Sequence, residues 1–133
     1  DDVVNVAGHR LSTIEIESSL VAHPAVGEAG VVGVSDPVSG QAVAAFVVDG
    51  AAGAADHNEL RAQVTRDIGP IAKPKIIVRV PEIPKTRSGK ILRRLLAQLW
   101  EGDELGDTTS LQNPWAVEGV REAVRQVQEK ETT

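Results

Sequence analysis

The residues best suited to chemistry lie in one stretch, Pro84-Lys85-Thr86-Arg87-Ser88-Gly89-Lys90-Ile91. A rigid proline entry leads into a polar, basic loop with one glycine. A lysine then stands where the next apolar segment begins, and the reading places it at the mouth of a helix. Backbone N–H groups at such a terminus, with the helix dipole and an ammonium beside them, suit a phosphate or a carboxylate. The stretch is not a Walker loop, because Ile91 follows the lysine where Ser or Thr is required and no glycine stands near Lys85. Spacing alone leaves two readings open, a solvated basic loop before a helix and an anion site, and favours the first.

Other reactive residue types are poorly arranged. His9, His23 and His57 are too scattered for a metal site, and the absence of Cys removes thiolate ligands and disulfides. We therefore expect no metal held by this chain. Ser18 and Ser19 fall within a helical pattern with no neighbouring base. Trp100 and Trp115 read as packing residues.

Charge is concentrated around the basic loop. From Lys73 to Arg94 there are eight Lys or Arg residues against Glu82, a local balance of +7 in a chain of net charge -5. The remainder carries -12, so the surface should be polarised. A short basic segment on an acidic body points to a phosphate or other anion at one place and argues against a broad nucleic-acid footprint. A free-standing module that holds a phosphate ligand or RNA on this loop is the alternative from another functional class.

The elements that must position the loop follow from hydrophobic pattern. With 133 residues and 41% apolar content, the chain is the size of one domain with one core. Residues 3 to 11 read as extended and broken at Gly8, and Ser12 with Glu15 forms a capping box that starts a helix over 13 to 22. Val26 to Val34 and Gln41 to Asp49 read as two antiparallel strands around a Ser35-to-Gly40 turn. The second is apolar on both alternating faces, as in a strand covered on both sides, so helices should flank the sheet on both faces. Asp56 or Asn58 can cap a helix carrying Leu60, Val64 and Ile68, stopped by Gly69-Pro70.

Lys75 to Val80 reads as a third strand, followed by a Pro81-to-Pro84 bracket and a loop over 82 to 89. Ile91, Leu92, Leu95, Leu96 and Leu99 define an apolar helix face, with Arg93 and Arg94 turned away. Gly102 to Gln112 reads as a surface linker. Asn113-Pro114 reads as a cap and first-turn proline for a last helix with Val117, Val120, Val124 and Val127 on one stripe, frayed from Glu129 to Thr133. The expected fold is α+β: a small three-stranded, mainly antiparallel sheet, helices on both faces and an N-terminal extended segment or hairpin. The longest apolar run, Ala42 to Val48, is too short to span a membrane, and no leader pattern opens the chain, so a soluble domain is expected. The absence of Met and the opening Asp1-Asp2 lead us to expect a piece of a longer protein.

PKTRSGKILRR closely resembles the PKTRSGK-I-M-RR signature of the acetyl-CoA synthetase branch of the AMP-forming adenylating enzymes, with Leu92 in place of Met. DDVVNVAGHRLSTIEIE is similar to the hinge and following segment of that family, IGPIAKP to its next landmark, and GDELGDTTSLQNP to the branch's C-terminal extension. The resemblance spans about residues 1 to 114. Ala7 and Ser12 depart from the more usual Ser and Gly.

The resemblance implies a C-terminal lid domain over 1 to 133. Residues 1 to 11 would form the hinge and CoA-facing segment, 12 to 100 the core with a lysine loop at 84 to 91, and 101 to 133 the extension. It implies adenylation by Lys90, a hinge at Asp1, CoA contact at Gly8 and a nucleotide-phosphate contact at Arg10. ATP, CoA and Mg would serve the complete enzyme, with none held by this domain alone. The implied partners are the protein's own N-terminal adenylation domain and a lysine acetyltransferase and deacetylase acting at Lys90, with no nucleic acid and no membrane, in the cytoplasm. Acetate is the implied acid and propionate the alternative, and the isolated domain should be inactive.

Overall fold

A computed structural model describes residues 2–131, with side chains through Lys130. Its element order is β1 (Val3–Val6), β2 (His9–Ser12), α1 (Thr13–Val21), β3 (Val26–Asp36), β4 (Gly40–Asp49), α2 (His57–Asp67), β5 (Ile76–Arg79), α3 (Arg93–Glu101) and α4 (Ala116–Glu131). A single 3-10 turn, Pro70–Ala72, joins α2 to β5. The fold is α+β, as expected.

The strand order is β2-β1-β4-β3, with β5 also paired to β4. β3 and β4 form the long antiparallel ladder, from Val26↔Asp49 to Asp36↔Gly40. β5 runs parallel to β4 over Ala44↔Ile76 to Val47↔Arg79. The expected three-stranded sheet is therefore present, and the N-terminal hairpin joins it through the Val6↔Gly40 pair, which makes five strands.

The two-sided apolar pattern of β4 has the predicted consequence. Ala42, Ala44 and Phe46 face one core with Leu95, Leu96, Leu99, Val117, Val120 and Val124 of α3 and α4. Val43, Ala45 and Val47 face the other, with Ile16, Leu20, Leu60 and Val64 of α1 and α2. Alternation along one strand thus separates two helical layers. Ser12 caps α1 as its sequence position predicts, accepting from the Glu15 N–H at 3.2 Å. Asp56 is the N-cap residue of α2 but makes no side-chain cap bond.

Three expectations about the second half are corrected. Gly102 to Gln112 is no simple surface linker, because Leu111 is buried and pairs with Thr86. Asn113 does not cap α4 with its side chain, which turns instead toward residues 82–85. Trp115 is 66% exposed rather than packed, and its indole donates to Glu82 at 2.8 Å.

Candidate functional site

Lys90 stands on a hairpin, not at the mouth of a helix. Lys85 pairs with Ile91, the Thr86 N–H donates to the Lys90 carbonyl at 2.9 Å, and the Gly89 N–H donates to the Thr86 carbonyl at 2.8 Å. The Lys90 N–H in turn donates to the Thr86 hydroxyl at 3.2 Å. Both backbone groups of Lys90 are thus held by one threonine. Gly89 sits at φ +86, in the left-handed region that a side chain resists, which closes the turn. α3 begins only at Arg93, three residues beyond Lys90, so the lysine does not stand at the helix terminus as expected.

The ends of the hairpin are fixed in the core while its tip is not. Ile83 is fully buried. Ile91 lies over Gly30, where a Cβ would come within 3.3 Å of the Ile91 methyl and 3.0 Å of Leu96. Glycine at that point of β3 lets both side chains seat closely. Lys85 is spent on an ion pair with Glu28. Arg87, Ser88, Gly89 and Lys90 are exposed, and no ion pair engages Arg87 or Lys90 among the described residues. The ammonium is free to meet an anion supplied from outside the domain.

Arg93 is not turned away from the core, contrary to the helix-face expectation. Its guanidinium forms a two-point pair with Glu17 of α1, Nη2 to Oε1 at 2.6 Å and Nε to Oε2 at 2.7 Å. Glu17 Oε2 also accepts the Val31 N–H at 2.8 Å, on the outer edge of β3. Glu17 is the largest cause holding the Arg93 pKa above its ordinary value. A third contact joins Arg93 Nη1 to Asp2 at 3.3 Å, and the Asp2 carbonyl accepts the Thr13 N–H at 2.9 Å. The chain is therefore tied to α1 and α3 as soon as it enters the domain. Asp1, the expected hinge, lies outside the described residues.

Gly8 and Arg10 occupy a different part of the molecule from the Lys90 hairpin. Ala7 and Gly8 form the two-residue turn between β1 and β2, with φ of 49 and 86. Positive φ at both positions is what a type I′ hairpin turn requires. The Ala7 N–H docks on the Ser39 carbonyl at 2.8 Å, at the β3–β4 turn. Eight residues of β3, roughly 26 Å of strand, separate Asp36 at that end from Glu28, which holds Lys85. Arg10 is exposed on β2, opposite Asn5. Nothing lies within 4 Å of a Cβ built on Gly8, so its surface is bare backbone.

Among the described residues, no group of three or more His, Asp or Glu side chains could hold a metal ion, and no helix is long and apolar enough to cross a membrane. Ser19 donates to Asp67 at 2.7 Å, pinning α1 to α2. The residue that sequence reasoning missed at the lysine hairpin is Asn113, whose spacing before Pro114 resembles a helix cap and conceals a long-range role.

The family model for the AMP-binding enzyme C-terminal domain matches residues 15–90. Acetyl-coenzyme A synthetase of Mycolicibacterium smegmatis is 57% identical over 125 residues, covering 91% of this chain and 13% of that protein. The enzyme of the same name from Penicillium chrysogenum is 49% identical, covering 98% of this chain and 20% of its own length. The chain therefore spans a fifth or less of these relatives. Among solved structures, an acyl-CoA synthetase of Brucella canis is 42% identical with a TM-score of 0.70, over 74% of this chain and 19% of that one. An amide bond synthetase of Marinactinospora thermotolerans is 35% identical with the same TM-score, over 74% of this chain and 20% of that one. By family model, sequence identity and fold together, the chain belongs to the AMP-binding enzyme C-terminal domains and is similar in sequence to the corresponding part of acetyl-coenzyme A synthetases.

Proposed function

We propose that this domain is the mobile lid of an AMP-forming acetyl-coenzyme A synthetase and that Lys90 is its adenylation lysine. The complete enzyme would convert ATP, acetate and CoA into acetyl-CoA, AMP and pyrophosphate. The observation that carries the reading is the exposed, unpaired Lys90 ammonium on a backbone bonded in both directions by Thr86. A charge held this way can enter a neighbouring anionic centre without reorganising its own support. At about 4 Å from a developing phosphoryl charge, with an effective dielectric near 20, it is worth on the order of 4 kcal/mol. That corresponds to roughly three decades in rate.

The second half-reaction would use the other end of the domain. The lid turns about Asp1, withdraws Lys90 and brings the Ala7-Gly8 turn to the pantetheine arm of CoA, where a surface without side chains lets the arm pass close to backbone. Arg10, exposed on the adjoining strand, would meet a nucleotide phosphate. With no group of three or more His, Asp or Glu side chains among the described residues, a metal accompanying ATP would find its ligands elsewhere in the longer protein. The acyl pocket would also lie there, so acetate is favoured and propionate is the alternative acid. The isolated domain would be inactive, and the enzyme cytoplasmic.

The decisive experiment is Lys90→Ala in the full-length protein. Acyl-adenylate formation should fall about a thousandfold. Acyl transfer to CoA from supplied acyl-adenylate should persist, and equal loss of both steps would contradict the assignment. Reversible acetylation of Lys90 would silence the first step by removing its charge. Treatment with an acetyltransferase should then label Lys90 ahead of Lys75 and Lys85, which are engaged by Asp36 and Glu28. Labelling spread equally over these lysines would refute a dedicated switch.

A further inference from the structure

The family model ends at Lys90, yet the hairpin carrying that lysine is held by residues well beyond it. Thr86 pairs with Leu111, and the Gln112 N–H donates to the Lys85 carbonyl at 2.9 Å. Asn113, only 4% exposed, places all three of its side-chain bonds on residues 82–85. Its Oδ1 accepts the Lys85 N–H at 2.8 Å, and its Nδ2 donates to Glu82 Oε2 at 2.8 Å and to the Ile83 carbonyl at 2.9 Å. Trp115 adds a fourth bond to the same segment through Glu82 Oε1. The Asn113 amide, then the Trp115 indole, hold the Glu82 carboxyl below its usual pKa, so it stays an acceptor.

We propose that Asn113 is a positioning residue for Lys90: residues 111–115 of the C-terminal extension form the outer wall of the lysine hairpin and set where its ammonium stands. The proposal rests on the adenylation role of Lys90. Three bonds from one buried amide fix the outgoing arm of the hairpin, and Thr86 on that arm fixes Lys90 on the return. Freed of the amide, the arm keeps its Ile83 anchor and the Gln112–Lys85 backbone bond but loses the three bonds that hold residues 82–85 in one position. Misplacement of a reacting group by about 1 Å can cost a hundredfold in rate, whereas the Gly8 turn shares none of these bonds.

The test uses the full-length protein with Asn113→Ala, Asn113→Asp and Lys90→Ala measured side by side in both half-reactions. Asn113→Ala should slow acyl-adenylate formation by about tenfold to a hundredfold. Transfer from supplied acyl-adenylate should be unchanged. Asn113→Asp keeps the acceptor for the Lys85 N–H but sets a carboxylate against the Glu82 carboxylate and the Ile83 carbonyl, so it should slow adenylation at least as much as Ala, and the retained transfer half-reaction guards against a variant that does not fold. Tryptic cleavage after Arg87 should quicken in the same order. Parallel loss of both half-reactions, or no loss in either, overturns the proposal. If Lys90→Ala itself spares adenylation, the reading of Lys90 fails and takes the proposal with it. If Lys90→Ala is selective and the Asn113 variants are not, the positioning role alone is lost.

Discussion

The two ends of this domain solve opposite problems. The Lys90 hairpin is braced from β3, from the C-terminal extension and, two residues on, from α1, through bonds made largely by side chains. The Ala7-Gly8 turn is held by its own backbone conformation and one docking bond to Ser39. Under the proposed roles, a single charged group that must arrive at one point needs walls around its base. A surface across which a flexible molecule slides needs the absence of side chains. The difference should appear on mutation: side-chain truncation damages the first end, whereas the second answers to changes of backbone freedom and to the β3–β4 turn on which it docks.

The largest effect should come from the Glu17–Arg93 pair. Glu17 and Arg93 side chains are 11% and 17% exposed, so removal of Glu17 leaves Arg93 only the longer Asp2 contact at 3.3 Å and strands the Val31 N–H as well. Glu17→Ala should cost about 3 kcal/mol in urea denaturation. Arg10→Ala, an exposed and unpaired truncation near the Gly8 turn, should stay within about 0.5 kcal/mol. A cost for Glu17→Ala as small as that for Arg10→Ala would remove the contrast between the two ends.

Much of this scaffold was legible in the order of residues, and the limits of that legibility are physical. β4 announced its two covered faces through uninterrupted apolar alternation, and α1 announced its start through Ser12, because both depend on neighbours close in sequence. The hairpin around Lys90 did not. Its register depends on partners at positions 111 to 113, and a polar run from Gly102 looks the same whether it crosses open surface or closes on another loop. Arg93 was misplaced for the same reason: helical periodicity reports which face is apolar, not which arginine finds a carboxylate 76 residues away. The lysine was recognisable as a chemical group, whereas its supports became visible only in three dimensions.

A smaller effect should sharpen the account of the bare end. Ala7 adopts φ 49, where an ordinary side chain is strained, while Gly8 at φ 86 is not. Gly8→Ala should destabilise the hairpin by about 1 kcal/mol, and the cause is conformational, since the added methyl meets no atom within 4 Å. Ala7→Asn should instead stabilise by about 0.5 kcal/mol, because asparagine tolerates the left-handed region and Asn-Gly favours this turn type. Opposite signs at adjacent positions would be hard to obtain from any contact-based explanation. The same sign at both would mean the turn is not held by backbone preference.

The smallest effect concerns acid. Asp36 organises the β3–β4 turn on which Ala7 docks, accepting from the Val38 N–H at 3.1 Å and from the N–H and hydroxyl of Ser39 at 2.9 Å each. Lys75, the largest cause, and then Ser39 hold its carboxyl far below the ordinary value of 3.8. A carboxyl depressed in the folded state binds its proton more readily when unfolded, so its contribution is complete above that ordinary value and fades as pH falls through the folded one. Lowering the pH from 5 to about 2 should therefore loosen the Gly8 end more than the Lys90 hairpin, where the depression of Glu82 from 4.5 is smaller than that of Asp36. Amide exchange at Ala7, corrected for its intrinsic pH dependence, should gain on exchange at Thr86 and Gly89. Asp36→Asn should abolish that gain while leaving the Lys90 hairpin unaffected at pH 7. Equal loosening at both ends in the wild-type domain would show that acid acts through global unfolding, and that Asp36 supports the whole sheet rather than the turn.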